Sequence, residues 1–293
     1  MSDPTILVVG ADGTIGRALL QRIERIGSAV VATTRRRQAV GRGRYYLDLS
    51  TGSRIEGLDR PVAAAHIAAA VARLPACAKD PAGSRAVNVT HTAALVRQLA
   101  ADGTHVLYLS TDKVFDGSKS IRPADDPWSP ATEYGRQKAA AEREILALDR
   151  TAVLRLTKVL GTGDPLLAGW RRDLLAGKPI APFHDMQMAP VPIDLVLETM
   201  LRISETRATG IFQLSGSRDV SYAEAARYLA ERLGVSLELV RPIATNTAGL
   251  ALEAPARFTA LASERVERAF GIRAPDVLGT IAAASMPVEE RSG

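Results

Sequence analysis

Thr111, Tyr134 and Lys138 supply a hydroxyl, a phenol and an ammonium in an order that can build one proton-transfer site. Tyr134 and Lys138 stand four residues apart, so on a helix they share a face and the ammonium can act on the ionisation of the phenol. A free Tyr has a pKa of about 10, and lowering it by roughly three units at ~1.36 kcal/mol each takes about 4 kcal/mol. One unit charge about 4 Å away at an effective dielectric of about 20 supplies roughly that amount, so a single Lys suffices in principle. A phenol tuned in this way can deliver a proton near neutral pH.

The elements that must hold these groups follow from the apolar pattern. Strand-like runs recur at residues 5–9, 29–33, 62–67, 106–109 and 153–156, with helix-compatible segments at 15–26, 84–102 and 133–148. This alternation predicts a doubly wound α/β fold with a parallel sheet covered on both faces. The helix over 133–148 is rich in Ala, Glu, Arg and Lys and carries Tyr134 and Lys138 in its first turns. From Gly161 the punctuation by Gly and Pro reads as loops and short elements, with a helix over 192–203 leading to a strand over 210–214. Ser221 and Glu224 form a capping-box pattern ahead of a helix to Leu233, in which the serine holds a helix amide and the glutamate reaches back. The expected division is a dinucleotide-binding domain over 1–160 and a mainly substrate-binding region over 161–293, with residues 190–215 returning to pack on the first.

Gly10, Gly13 and Gly16 lie between the first strand and the first helix, in the segment Gly10-Ala11-Asp12-Gly13-Thr14-Ile15-Gly16. Such a turn brings backbone close to a pyrophosphate, whose charge the helix N-terminus favours. An acid at the end of the second strand would bind a free adenosine ribose, but that end reads Thr34-Arg35-Arg36. Guanidinium groups grip a 2′-phosphate, so NADP(H) is favoured over NAD(H).

Composition narrows the classes. The chain has 293 residues, 46% of them hydrophobic, enough for a buried core. Its single cysteine, Cys77, allows no intrachain disulfide and fits a reducing, cytoplasmic compartment, and no Cys/His spacing suggests a metal. Met1–Pro4 leaves no room for a signal core before the first strand, and no run is apolar enough for a bilayer, so no membrane association is expected. The net charge of +5 is spread and aromatics are only 4%, which argues against nucleic-acid binding and fits a small phosphorylated ligand.

With 109–117 reading Leu-Ser-Thr-Asp-Lys-Val-Phe-Asp-Gly, 134–138 reading Tyr-Gly-Arg-Gln-Lys, and matching segments at 10–16, 64–70, 87–89 and 210–230, the chain resembles the extended short-chain dehydrogenase/reductases. Within them it is most similar to nucleotide-sugar reductases of the dTDP-4-dehydrorhamnose reductase type. The resemblance implies NADPH-dependent reduction of a keto group on a nucleotide-linked sugar, in a Rossmann fold, with a homodimer common among such proteins. Tyr134 would protonate the carbonyl oxygen, Lys138 would tune the phenol and hold the nicotinamide ribose, and Thr111 would orient the carbonyl. Cofactor contacts would come from the turn at 10–16, including Asp12, Thr14 and Ile15, and from Thr34, Arg35, Arg36, Asp48, Leu49, Ala68, Ala69, Ala70, Asn88 and Leu156. Substrate contacts would come from Asp112, Lys113, Val114, Thr157, Lys158, Arg171, His184 and Gln187, with Arg172, Lys178 and Asp185 as further candidates. Lys113 and the Thr157-Lys158 pair stand where the resembling reductases carry Tyr and Ser-Trp, making the expected substrate wall more cationic and less aromatic. Asp112-Lys113 also leaves open a nucleotide-sugar 4,6-dehydratase or epimerase that recycles its cofactor. A third reading is a non-catalytic subunit like the regulatory subunit of methionine adenosyltransferase.

Overall fold

The computed structural model describes residues 5–248 and 256–287, so Met1–Pro4, read above for a signal segment, lies outside the described residues. Seven strands form one sheet: β1 (Ile6–Val9), β2 (Val30–Thr34), β3 (Arg44–Tyr46), β4 (Ala64–Ile67), β5 (His105–Thr111), β6 (Thr151–Leu156) and β7 (Gly210–Leu214). They lie side by side as β3-β2-β1-β4-β5-β6-β7. β1 runs parallel to both neighbours, with Leu7 level with Val31 on one side and Ala65 on the other. β2–β3 and β4–β5 are parallel as well. The chain order reverses direction across the sheet between β1 and β4, which places a crevice at the carboxyl ends of those strands.

Burial on both faces explains the continuous apolar strands. All seven residues of β5 are buried. Leu7 and Val9, Ala65 and Ile67, and Val106 and Tyr108 alternate onto one face, where they pack with Leu95, Val96 and Leu99 of α2 (Thr92–Ala101) and Ala141 and Ile145 of α3 (Glu133–Leu146). His66 and Leu107 point the other way and are equally buried. α1 (Thr14–Arg25) follows β1 directly and buries Leu19, Leu20 and Ile23.

Two expectations are corrected. The single helix over 84–102 is instead a short helix at Pro81–Arg85, a π-helical turn at Ala86–His91 and then α2. The wide turn buries Asn88, and the Thr92 hydroxyl donates to the Val87 carbonyl at 2.7 Å. The stretch after Gly161, expected as loops and short elements, opens on an 11-residue helix, α4 (Pro165–Leu175). Asp164 accepts from the amides of Leu166 and Leu167 at 3.1 and 3.3 Å, and Pro165 occupies the first helical position, so this punctuation was a helix-start signal.

By contact density the chain divides into two compact units. One comprises Met1–Val114, Trp128–Arg155 and Leu197–Phe212; the other comprises Phe115–Pro127, Leu156–Val196 and Gln213–Gly293. The second has its own core, in which Leu167, Trp170 and Leu174 of α4 pack with Leu229 of a helix at Tyr222–Leu233 and Ile281 of one at Val277–Ser285. It carries two small strand pairs, Val159–Leu160 with Val191–Pro192 and Gln187–Met188 with Val220–Ser221. Ser221 does cap its helix, accepting from Glu224 N at 3.0 Å, while the Glu224 carboxylate pairs with Arg218 at 2.8 Å. Among the described residues no helix is long and apolar enough to cross a membrane, and no group of His, Cys, Asp and Glu could hold a metal ion.

Candidate active site

Thr111 ends β5, and the chain turns at once through Asp112–Val114. α3 begins one residue before Tyr134, capped by Thr132, whose hydroxyl accepts from Gly135 N at 3.1 Å. The first turn of α3 packs directly on the turn after β5: a Cβ at Gly135 would collide with the Lys113 carbonyl oxygen, so only glycine allows this approach. In this way the Thr111 and Tyr134 segments are held against one another.

Lys138, one turn further along, is buried, donates to the Leu109 carbonyl at 2.6 Å and lies 3.9 Å above the centre of the Tyr108 ring. Burial pushes its pKa down to about 7, partly offset by the negative charge of Glu142. Glu142 is itself fully buried, held by Arg155 at 2.7 Å and by the Trp128 indole N–H at 2.6 Å. For half-buried Tyr134, burial raises the pKa and the Asp112 carboxylate adds to the rise. The lowering expected from Lys138 is not seen: desolvation and the Asp112 carboxylate set the direction of the shift. The Thr111 hydroxyl donates to Asp112 at 2.9 Å and accepts from Lys113 N at 3.2 Å. Asp112 also binds the Lys113 ammonium at 2.6 Å, so these two charges balance each other beside the phenol.

A cleft of about 800 Å³ opens at the carboxyl ends of β1 to β4. Gly10, Asp12, Gly13, Thr34, Arg35, Asp48, Leu49, Ala68, Ala69 and Ala70, all expected at a cofactor, line it. Gly10 takes φ +87°, and a Cβ there would sit 2.7 Å from the Ala69 amide nitrogen, so the β1 and β4 ends meet as closely as two backbones can. No side chain caps α1 at Gly13, which leaves its N-terminal amides available to an anion such as a pyrophosphate. These features fit a dinucleotide. Asp48 is held below the usual carboxylate range by the hydroxyl and amide of Ser50.

Thr14, Ile15, Gly16, Arg36, Asn88 and Leu156 do not line the cleft. Asn88 acts behind it: its amide accepts from Val71 N at 2.8 Å, donates to Val71 O at 3.0 Å and reaches the Gln137 carbonyl oxygen at 2.8 Å. Gln137, fully buried between Tyr134 and Lys138 in sequence, thus ties α3 to the wall of the cleft. Its buried partners were invisible in the sequence, as were the cleft residues Ser50, Lys79 and Asp80, which carry no motif. Leu156 is buried at the end of β6.

The remaining substrate candidates lie on separate elements of the second unit. The Thr157 hydroxyl donates to the Ala189 carbonyl, and Lys158 is exposed. Arg171 is half-buried on α4, whereas exposed Arg172 pairs with Asp173. His184 and Lys178 are exposed, Gln187 is half-buried in its strand, and Asp185 is occupied by the amide and hydroxyl of Thr245.

Comparison with known proteins places the chain among relatives of this architecture. A family model described as "RmlD substrate binding domain" matches residues 4–285. A dTDP-4-dehydrorhamnose reductase of Streptomyces griseus is 30% identical over 266 residues, covering 86% of this chain and 83% of that protein. Methionine adenosyltransferase 2 subunit beta of Xenopus tropicalis is 25% identical over 258 residues, covering 83% and 76%. Among solved structures, a dTDP-4-dehydrorhamnose reductase of Bacillus anthracis in complex with NADP superposes with a TM-score of 0.82 at 16% identity, covering 97% of this chain and 99% of that one. At that identity the last likeness speaks for the fold.

Proposed function

Because this chain belongs to the RmlD substrate binding domain family, we propose that it is an NAD(P)-dependent oxidoreductase that reduces a keto group on a nucleotide-linked sugar, with NADPH as the preferred donor. The observation that carries the reading is the first turn of α3 set against the end of β5, which gathers Thr111, Tyr134 and Lys138. The reductase reading draws support over the subunit reading from the 30% identical reductase, and over the dehydratase and epimerase readings from the same relative. Arg35 at the cleft supports the choice of NADPH. The second unit is assigned substrate recognition, and a cytoplasmic homodimer completes the reading.

A nicotinamide dinucleotide, held in the cleft by the turn at Gly10 and Gly13 and by Arg35, would supply the hydride. Tyr134 supplies the proton: with its pKa raised, the phenol is fully protonated at neutral pH and can donate to the carbonyl oxygen as negative charge develops there. Lys138, fixed on the Leu109 carbonyl, holds an ammonium one helical turn from that phenol and favours the phenolate left behind. Thr111 orients the carbonyl by turning its hydroxyl hydrogen from Asp112 to the substrate oxygen.

Tyr134→Phe tests this assignment. It removes only the proton donor, so NADPH binding should persist while kcat/KM falls by about 10²–10⁴-fold. Unchanged turnover in the variant contradicts the mechanism.

A further inference from the structure

The turn that carries Gly10 and Gly13 also carries a carboxylate to the adenosine end of the cleft. Asp12 accepts from the Thr34 hydroxyl at 2.7 Å through one oxygen. Through the other it pairs with Arg36 at 2.7 Å and with Arg44, on β3, at 3.6 Å. Burial raises the Asp12 pKa, but the Thr34 and Arg36 hydrogen bonds outweigh it and hold the carboxyl below its ordinary range, so it is charged at neutral pH. Arg37 is engaged elsewhere, bound to both carboxylate oxygens of Glu56 at 3.2 Å and lying 3.8 Å over the Tyr46 ring. Arg35 is exposed and lines the cleft, and Asp48, the carboxylate that feels its charge, is held by Ser50.

We propose that Asp12 is a specificity-determining residue: by engaging Arg36 and Arg44 it withholds both guanidinium groups from a 2′-phosphate, leaving Arg35 as the cation that selects NADP(H) over NAD(H). This rests on the reading that the cleft holds a dinucleotide. An acid at the second strand's end is the usual ribose partner; here the acid comes from the first turn and reaches that strand end through Thr34. Its charge therefore weakens the preference that Arg35 and Arg36 suggest.

The test is direct titration of the purified protein with NADPH and with NADH, read by the change in nucleotide fluorescence, which needs no sugar substrate. Asp12→Asn preserves the shape and the acceptor for Thr34 while freeing Arg36. It should tighten NADPH about fivefold, the scale of one exposed ion pair, and change NADH less than about twofold. Arg36→Ala alone should be nearly neutral, and in the Asp12→Asn background Arg36→Ala together with Arg44→Ala should abolish the gain. Asp12→Ser, which also removes the charge, should reproduce the direction. Unchanged or weaker NADPH binding in Asp12→Asn and Asp12→Ser, or a gain that survives the combined loss of Arg36 and Arg44, overturns the inference. Arg35→Ala separates the two levels of the argument: if it fails to weaken NADPH binding, the NADP(H) reading of the cleft falls, whatever the Asp12 variants do.

Discussion

Lys138 holds its ammonium on the Leu109 carbonyl and over the Tyr108 ring, in surroundings dry enough to bring its pKa down to about 7. Tyr134 is shifted upwards and stays protonated across the neutral range, so the lysine is the group whose charge changes there. In the proposed mechanism the active form carries the ammonium, which is present below about pH 7 and lost above it. The kcat/KM profile, which reports the free enzyme, should therefore be level on the acid side and decline as pH rises through about 7. Glu142→Gln removes the charge that favours the ammonium and should move that decline to lower pH. A profile level well beyond pH 7 in both proteins contradicts this account. The sequence disclosed the Tyr134–Lys138 pair because helical spacing alone puts them on one face. It could not disclose desolvation, since that depends on Tyr108, Trp128 and Arg155, which come from three other segments.

On the opposite face of the sheet, β4 and β5 present His66 and His105 to the segment around the end of α5 (Ile193–Glu205). His66 Nε2 lies 3.3 Å from Ser204 Oγ, and His105 Nε2 lies 2.9 Å from the Ala208 carbonyl oxygen. Burial lowers the pKa of both, with the positive charge of His105 adding to the shift of His66, which falls to about 3, and that of Arg207 adding to the shift of His105. In an unfolded chain His66 titrates near its ordinary value of about 6.5 and binds a proton that the folded chain refuses. Its contribution is thus fully present above pH ~6.5 and is lost as pH falls towards the folded value, at up to ~1.36 kcal/mol per pH unit. The melting temperature should drop between pH 6.5 and 5, and His66→Leu should flatten the drop; identical slopes in both proteins contradict this role. Element type followed from periodicity, and the strand at Gly210–Leu214 matches the expected span. The misread elements have local causes: one extra residue in the turn around Asn88, and the Asp164-Pro165 pair, which resembles loop punctuation until the helix behind it is known.

For the whole molecule, alternation of strands and helices indicated a doubly wound parallel sheet, and the order β3-β2-β1-β4-β5-β6-β7 bears this out. The turn at Gly10–Gly16 was legible because close backbone approach demands glycine, and Gly10 meets Ala69 as that requires. The substrate wall was less legible. Thr157, Lys158, Arg171, His184 and Gln187 are scattered polar residues without periodicity or fixed spacing, and they lie on separate elements of the second unit. The sugar must therefore be identified by reaction. The most direct measurement is NADPH oxidation by the purified protein across nucleotide-linked sugars with and without a keto group. The account predicts steady, stoichiometric NADPH consumption with a keto sugar such as dTDP-4-dehydrorhamnose and none with the corresponding hydroxyl sugars. Conversion of a non-keto nucleotide sugar without net NADPH loss, or tight NADPH binding with no turnover on any keto sugar, would contradict it.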